Sequence, residues 1–314
     1  MFKIIKDNTT IDFLSPRRRI VAIAISLLLI AVSIGSIATR GLNFGIDFTG
    51  GVLLEVGYPQ AADLDRIRSL LRDAGFAAVQ VQRFGADNDV LLRLPPQEDA
   101  DPNDIRDSLR NTLAADTPEV ELRRVEFVGP QVGQELTEQG SLAMIFALLM
   151  IFAYVMFRFQ WKFAAGAVAA LAHDVIITVG FFALFQFDFD LSVVAAVLAV
   201  IGYSLNDTVV TFDRIRDNFM KLRGVESLES MNVSSNEMLS RTIVTGLTTL
   251  LVLVALLLLG GESVGPFSIA LIVGIIVGTY SSIYIASAIA LLLDVTAQDL
   301  MPPQEEAELA DNLP

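Results

Sequence analysis

Long apolar runs dominate the pattern of hydrophobic and polar positions along this chain of 314 residues. Six of these runs approach or exceed the length of about 20 residues that a helix needs to cross the hydrocarbon core of a bilayer. They cover residues 20–37, 142–157, 163–185, 191–212, 242–259 and 267–293. The sequence therefore predicts an α-helical membrane protein with six transmembrane helices.

A polar segment, residues 40–139, separates the first two predicted spans. Helical periodicity and strand-like apolar patterns follow one another within it. The predicted helices cover residues 63–74 and 102–113, and the predicted strands cover residues 52–58, 79–84, 90–94 and 120–128, with a turn at 85–88. The order β-α-β-β-α-β predicts a small α+β, ferredoxin-like domain with two helices on one face of a sheet. Since that fold serves many functions, it indicates a binding or interaction module and no particular chemistry.

Two adjacent glycines, Gly50 and Gly51, follow Asp47 just after the first span. Glycine tolerates positive φ values and the close approach of another backbone segment. We therefore expect the stretch from Asp47 to Gly51 to form a rigid junction between the first membrane helix and the sheet.

Lysine and arginine are concentrated on one side of the predicted membrane. They flank the first span and occupy the connections between spans two and three and between spans four and five: Lys3, Lys6, Arg17, Arg18, Arg19, Arg158, Lys162, Arg214, Arg216, Lys221, Arg223 and Arg241. The short connections on the other side, residues 186–190 and 260–266, contain none. Because positive charge stays cytoplasmic, both termini are predicted to be cytoplasmic and the long polar segment extracytoplasmic.

The predicted organisation follows from these two patterns. It consists of a cytoplasmic N-terminus, a first membrane helix, a periplasmic domain, five further membrane helices and an acidic cytoplasmic tail: residues 1–19, 20–39, 40–139, 140–293 and 294–314. The sequence Ser36-Ile37-Ala38 resembles a signal-peptidase site. However, the apolar stretch before it is longer than the about 7–15 residues of a signal peptide, which predicts an uncleaved anchor.

Composition excludes several kinds of chemistry. The chain has no cysteine and a single histidine, so it cannot form disulfides, thiolate metal sites or multi-histidine metal sites. It carries 22 basic and 36 acidic residues, a net charge of −14, which argues against nucleic acid as a partner. Clustered metal ligands and a glycine-rich phosphate loop are also missing from the sequence. We therefore predict no metal site and no enzymatic activity.

Two acids fall inside predicted spans, Asp174 near the middle of the third and Asp207 in the last quarter of the fourth. A charged side chain at a helix centre costs about 2.5–3.5 kcal/mol on insertion scales, so we expect each acid to have a function or a stabilising partner. Polar residues surround Asp207 on the same helix: Tyr203, Ser204, Asn206 and Thr208. Arg241 opens the fifth predicted span on the same side of the membrane and can serve as its counter-ion. Such a pair can bind and release a proton.

Other interpretations of these polar residues stay open at this point. Arg241 can instead extend to the membrane interface, and Asp207 can simply be hydrogen-bonded in the bundle core. Asp174 beside His173 either extends a proton relay or is a buried acid satisfied by a serine or by backbone. Small residues also recur at helical spacing in the fourth and sixth spans, which favours close helix packing: Ala195, Ala199, Gly202 and Asn206, and Gly274, Gly278, Ser282, Ala286 and Ala290.

Five segments, in order along nearly the whole chain, resemble the motifs of one family. They are Gly45-Ile46-Asp47-Phe48-Thr49-Gly50-Gly51, Ala172-His173-Asp174-Val175, Ile201-Gly202-Tyr203-Ser204-Leu205-Asn206-Asp207-Thr208-Val209-Val210, Phe212-Asp213-Arg214-Ile215-Arg216 and Gly278-Thr279-Tyr280-Ser281-Ser282. The resemblance is to the SecF family of bacterial protein-export membrane subunits, within the resistance-nodulation-division superfamily. It implies six spans in the bacterial cytoplasmic (inner) membrane and a periplasmic domain after the first.

The resemblance also implies a function and partners. The expected partners are a SecD subunit, the SecYEG channel with the ATPase SecA, the auxiliary protein YajC, preprotein substrates and membrane lipids. The expected activity is completion of preprotein translocation with the proton gradient, without any further cofactor. Asp207 and Arg241 match the family's proton-linked site, which faces an acid of SecD, whereas the resemblance gives Asp174 no catalytic role. Sodium is an alternative coupling ion, because Asn206, Asp207 and nearby hydroxyls can ligate either ion.

Two other classes of function compete with this interpretation. The same fold serves proton-linked exporters of small hydrophobic solutes or lipids, although these usually carry two six-span halves and larger extracytoplasmic domains in one chain. An intramembrane aspartyl protease would use Asp174 and Asp207 as a catalytic pair. The Tyr-Asp and Gly-x-Gly-Asp signatures of that class are missing, since Ser204, Leu205 and Asn206 precede Asp207.

Overall fold

A computed structural model describes residues 11–76, 78–96, 101–158, 160–222, 224–261 and 264–296. Residues 1–10 of the predicted N-terminal flank, Arg223 and nearly all of the predicted acidic tail lie outside the described residues. The elements in chain order are α1 (Pro16–Arg40), β1 (Asn43–Phe44), α2 (Ile46–Thr49), β2 (Gly51–Gly57), α3 (Leu64–Asp73), β3 (Gln80–Phe84), β4 (Ala86–Leu94), α4 (Pro102–Asp116), β5 (Glu121–Val128), α5 (Pro130–Arg158), α6 (Trp161–Phe185), β6 (Asp188–Phe189), α7 (Leu191–Lys221), α8 (Ser227–Leu259), α9 (Gly265–Ser281), a π-helical turn (Ser282–Ala286) and α10 (Ser287–Leu292).

Six helical segments of the described chain are long and apolar enough to cross a membrane, as predicted. Three of them extend far beyond the predicted spans: α5 begins at Pro130, α7 continues to Lys221 and α8 begins at Ser227. The apolar pattern marks only the part of a helix that contacts lipid. The backbone hydrogen bonds continue into water wherever no breaker intervenes, so the helices are longer than their apolar windows. Arg241 consequently lies well inside α8 and does not open it.

The centre of the membrane part is formed by α6, α7 and the last span. Half of the apolar window of each is buried, against 22% for α1, 17% for α8 and 6% for α5. Small residues allow this close packing. A side chain at Gly180 of α6 would overlap Ser33 of α1, and one at Gly274 of α9 would lie 2.2 Å from Val200 of α7. The predicted small-residue pattern of the sixth span therefore packs against α7.

The polar segment contains the predicted β-α-β-β-α-β order between Gly51 and Val128. Its four strands are antiparallel in the order β3-β4-β2-β5. Apolar residues of β2, β4, α3 and α4 form its own core, and the largest of them that are fully buried are Leu54, Leu71, Leu92, Leu94, Leu109 and Leu113. Two helices therefore cover one face of the sheet.

The predicted turn at residues 85–88 is wrong in extent, because β4 already begins at Ala86. Tertiary hydrogen bonds explain the difference. The backbone N–H of Tyr58 donates to the carbonyl of Asn88 at 2.8 Å, and that of Ala62 donates to the carbonyl of Asp87 at 2.9 Å. Residues with turn propensity are thus held extended by partners more than twenty residues away, which local patterns do not reveal.

Candidate functional site

The predicted junction forms a tight crossing of backbone segments. Gly50 has φ +69° and Gly51 has φ +121°, values that disfavour any other residue. A Cβ on Gly51 would lie 2.2 Å from the carbonyl oxygen of Leu94. Asp47 lies in α2, and its Oδ2 accepts a hydrogen bond from the backbone N–H of Leu191 at 3.0 Å. The junction therefore contacts the first residue of α7 directly.

A second set of contacts at the same level was not predicted. Arg93 on β4 forms an ion pair with Asp188 at 3.1 Å and donates to the carbonyl of Phe44 at 3.3 Å. The side-chain amide of Asn43 also donates to Asp188, at 2.6 Å. These contacts join the sheet to the connection between α6 and α7. The signal in the sequence is only one arginine and one distant aspartate, and their pairing depends on the strand order.

Asp174 lies at the centre of the membrane part and is completely buried. Its Oδ2 accepts hydrogen bonds from the hydroxyls of Ser204 at 2.6 Å and Ser281 at 2.8 Å. Its Oδ1 accepts from Nδ1 of His173 at 2.9 Å. These donors come from α6, α7 and α9, so one carboxylate links three helices. Of the two interpretations from sequence, satisfaction by serine is observed, and a relay role stays a prediction.

The polar contacts of Asp174 continue to α1. Nε2 of His173 lies 3.1 Å from Oγ of Ser26, and Ser26 donates to the hydroxyl of Tyr280 at 3.3 Å. Tyr280 in turn donates to the carbonyl of Ala22 at 2.7 Å. We refer to Ser26, His173, Asp174, Ser204, Tyr280 and Ser281 as the Asp174 cluster.

The predicted grouping of Ser204 with Asp207 is wrong. Ser204 donates to Asp174 instead, because α9 and α6 pack against that face of α7. The close approach depends on Gly278, where a Cβ would lie 3.0 Å from Cβ of Ser204 and 3.4 Å from Oδ2 of Asp174. Helix spacing, which sequence does not specify, decides which acid a serine reaches.

Asp207 has a different environment. Asp207 is 8% exposed, and its Oδ1 accepts one hydrogen bond, from the hydroxyl of Thr242 at 3.4 Å. Within the described part of the chain, Asp207 and Arg241 do not form an ion pair within 4.0 Å, so the predicted pairing is not observed. Successive residues of a helix point about 100° apart. Since Thr242 faces α7, Arg241 is turned to the exposed side of α8.

The other predicted residues flank Asp207, and none of their side chains forms a hydrogen bond to its carboxylate among the described residues. The hydroxyls of Tyr203 and Thr208 are buried and have no hydrogen-bond partner among the described residues. Asn206 is exposed on the same helix. It continues a row of small exposed residues on α7, which consists of Ala195, Ala199 and Gly202. Asp207 therefore lies at the edge of an uncovered, small-residue face, which we refer to as the open face of α7.

Comparison with known proteins places these features in one family. The family described as "Protein export membrane protein SecD/SecF, C-terminal" matches residues 108–296, and the "SecD/SecF GG Motif" matches residues 35–62, which contain the junction. The chain is 49% identical to the protein translocase subunit SecF of Vibrio alginolyticus over 99% of this chain and 98% of that protein. It is also 49% identical to the SecF subunit of Pseudomonas aeruginosa, over 96% and 97%.

A solved structure has a similar overall fold. The crystal structure of SecDF from Thermus thermophilus, described as a translocon-associated membrane protein, superposes with a TM-score of 0.83 at 37% sequence identity. The match covers 91% of this chain and 39% of the SecDF chain, so the present chain spans about two fifths of that longer protein.

Proposed function

Since this chain belongs to the SecF family of protein translocase subunits, we propose that it uses the proton gradient, together with a SecD partner, to complete the translocation of preproteins. The relatives carry a protein-export name, which favours this class over export of small hydrophobic solutes or lipids. The proposed setting includes the SecYEG channel with SecA, and YajC as an auxiliary subunit. Each of these partners is part of the proposal.

We propose that the chain lies in the bacterial cytoplasmic membrane with both termini in the cytoplasm and a ferredoxin-like domain in the periplasm. The strand order β3-β4-β2-β5 with two helices on one face supports the ferredoxin-like assignment. Charge supports the orientation. Arg158 pairs with Asp213 at 2.6 Å and Lys162 donates to the carbonyl of Asp294 at 2.9 Å, at the membrane side opposite the sheet.

The open face of α7 is the surface proposed to meet SecD. Small residues let two helix backbones approach closely, which is how helices associate where lipid offers no hydrophobic driving force. The longer SecDF protein supports the idea, because the present chain corresponds to only 39% of it. A partner on this face would contact Asn206 and cover the edge where Asp207 lies. An acid from that partner would then face Asp207.

The proposed coupling rests on the surroundings of Asp207. Its carboxyl group is nearly buried in a spanning helix and has one long hydrogen bond, so few contacts oppose a change in its charge. Proton entry would neutralise the carboxylate and remove its longer-range electrostatic attraction to Arg241, which is close enough to act on Asp207 without forming an ion pair. Sodium would act on the same oxygen atoms, with Asn206 and Thr208 as additional ligands.

Helix α7 connects this site to the periplasmic domain. It carries Asp207 near its middle and begins at Leu191, whose backbone N–H donates to Asp47 of the junction. A shift of α7 would therefore displace the junction, and with it β2, which starts at Gly51. In this mechanism the domain moves with each change in protonation and pulls or holds the emerging preprotein.

The test is preprotein export in cells whose only copy carries Asp207→Asn. We expect precursor to accumulate while membrane level and SecD co-purification stay normal, because the amide keeps the size of the carboxyl group but cannot be titrated. Asp217→Asn is the matched control, since it makes the same change at an exposed position on the same helix. It should export normally.

Normal export by the Asp207→Asn variant would contradict the proposed coupling. Export in membrane vesicles driven by either a proton or a sodium gradient distinguishes the two ions. Stimulation by the sodium gradient alone would replace the proton with sodium in the mechanism.

A further inference from the structure

An open groove of about 310 Å³ lies beside the start of α1, between that helix and the end of α9. Apolar atoms form its walls: Val21, Ala22 and Ile25 on α1, with the rings of Tyr280 and Tyr284 opposite. Two arginines, Arg17 and Arg18, line the same groove. The groove therefore combines two positive charges at one end with an apolar channel that continues along the membrane helix.

The groove lies where a phospholipid head group meets its acyl chains. Arg17 and Arg18 lie within one helical turn before the apolar run that starts at Ile20, so they are at the edge of the predicted hydrocarbon region. Val21 is 57% exposed and Ile25 is 47% exposed, so the channel opens toward lipid. Guanidinium groups bind phosphate oxygens in a bidentate manner, and methyl and aromatic surfaces suit an acyl chain.

The walls are held in place before any ligand binds. The hydroxyl of Tyr280 donates to the carbonyl of Ala22 at 2.7 Å, which fixes the tyrosine against α1. The rings of Tyr280 and Tyr284 lie 5.2 Å apart between centroids. Arg18 donates to the carbonyl of Asp12 at 2.9 Å, so its side chain is also positioned. The carboxylate of Asp12, the nearby acid, accepts a hydrogen bond from Asn232 at 3.3 Å.

We propose that this groove binds one anionic phospholipid from the leaflet that contains the start of α1. Its phosphate lies between Arg17 and Arg18, and one acyl chain lies along Val21 and Ile25 against the two tyrosine rings. Tyr280 is also a member of the Asp174 cluster. The bound lipid therefore contacts a residue whose hydroxyl is hydrogen-bonded to Ser26, which in turn contacts His173. The site is separate from Asp207 and does not depend on the proposed proton coupling.

The test measures lipid binding to the purified full chain by native mass spectrometry. Phosphatidylglycerol is the probe, and phosphatidylcholine with the same acyl chains is the head-group control. We expect the double variant R17Q/R18Q to bind phosphatidylglycerol roughly 30-fold more weakly, since each basic residue near an anionic lipid surface contributes about fivefold. R19Q/R216Q is the matched control, because it also removes two positive charges but neither residue lines the groove. It should bind phosphatidylglycerol clearly more tightly than R17Q/R18Q does, because neither of its two residues can contact a phosphate held in the groove.

Two further variants separate charge from shape. R17K/R18K keeps both charges but loses the bidentate guanidinium geometry, so its affinity should fall between that of the unmodified chain and that of R17Q/R18Q. V21W fills the channel without changing charge and should abolish the tight adduct. Equal binding of the two lipids, or an equal loss in R19Q/R216Q, would overturn the proposal in favour of diffuse attraction. Unchanged binding by V21W would place the lipid elsewhere. Thermal unfolding of each variant shows whether it is folded. If R17Q/R18Q is not folded, the binding measured for V21W tests the proposal.

Discussion

The two acids inside the membrane part have opposite surroundings. Asp174 is fully buried and accepts three hydrogen bonds from three helices, whereas Asp207 accepts one at 3.4 Å beside an open face. A carboxylate that accepts hydrogen bonds from three buried donors links the helices that carry them, because without it each donor would be left unpaired. A carboxylate with one long hydrogen bond contributes little to the packing of its helix. The comparison indicates that Asp174 links three helices, whereas Asp207 accepts only one weak hydrogen bond among the described residues, from α8.

Removal of the Asp174 carboxylate should give the largest loss of stability. Asp174→Ala leaves the hydroxyls of Ser204 and Ser281 and the imidazole of His173 buried without their acceptor. We expect a loss of about 3–5 kcal/mol, the usual cost of breaking a buried polar or ionic network. Thermal unfolding of the purified chain in detergent measures it. An unchanged melting temperature would refute the structural role of Asp174 and favour the interpretation that it belongs to a proton relay.

Crowding the Asp174 cluster should have a smaller effect. In Gly278→Ala the new methyl group would lie 3.0 Å from Cβ of Ser204, so α7 and α9 must separate slightly. We expect a loss of about 1–3 kcal/mol, typical of overpacking. Gly202→Ala is the matched control, since nothing lies within 4 Å of that position on the open face. Helix propensity by itself favours alanine over glycine, so Gly202→Ala should not be destabilised; a loss as large there would show that crowding of the cluster does not account for the effect.

The smallest effect on stability is expected at Asp207. Thr242→Val removes its one hydrogen bond but keeps the shape of the side chain, and should cost about 0.5–1.5 kcal/mol. Chemical unfolding of the purified variant measures this loss, and Thr245→Val, at an exposed site on the same helix, is the control. If Thr242→Val were as costly as Asp174→Ala, the two acids would be equally embedded and the contrast between them would fail.

Parts of the fold followed from local patterns for clear reasons. A helix in lipid must satisfy its backbone internally and present apolar side chains, so the six spans are visible as apolar runs. The strands and helices between Gly51 and Val128 have the predicted order, because burial on one face imposes periodicity. Apolar runs do not mark helix ends that lie in water. For this reason α8 is predicted to begin at Thr242, whereas it begins at Ser227.

The partners of polar side chains did not follow from the sequence. Ser204 and Asp207 are neighbours on α7, yet the serine bonds to Asp174 on another helix. Arg241 is adjacent to Thr242 in sequence, but only the threonine reaches Asp207. The pairing of Arg93 with Asp188 joins residues of the sheet and of a membrane connection. Each of these contacts depends on the distance and rotation between elements.

The sequence by itself therefore determined the class of protein, its spans, the element order of its polar domain and the presence of two intramembrane acids. Composition and periodicity report which surfaces avoid water, and that constraint acts on each segment separately. Only the tertiary structure decided that Asp174 is enclosed by three donors while Asp207 borders the open face of α7. The physical reason is that hydrogen bonds require atoms to approach within about 3 Å, and such distances are set by the packing of helices against one another.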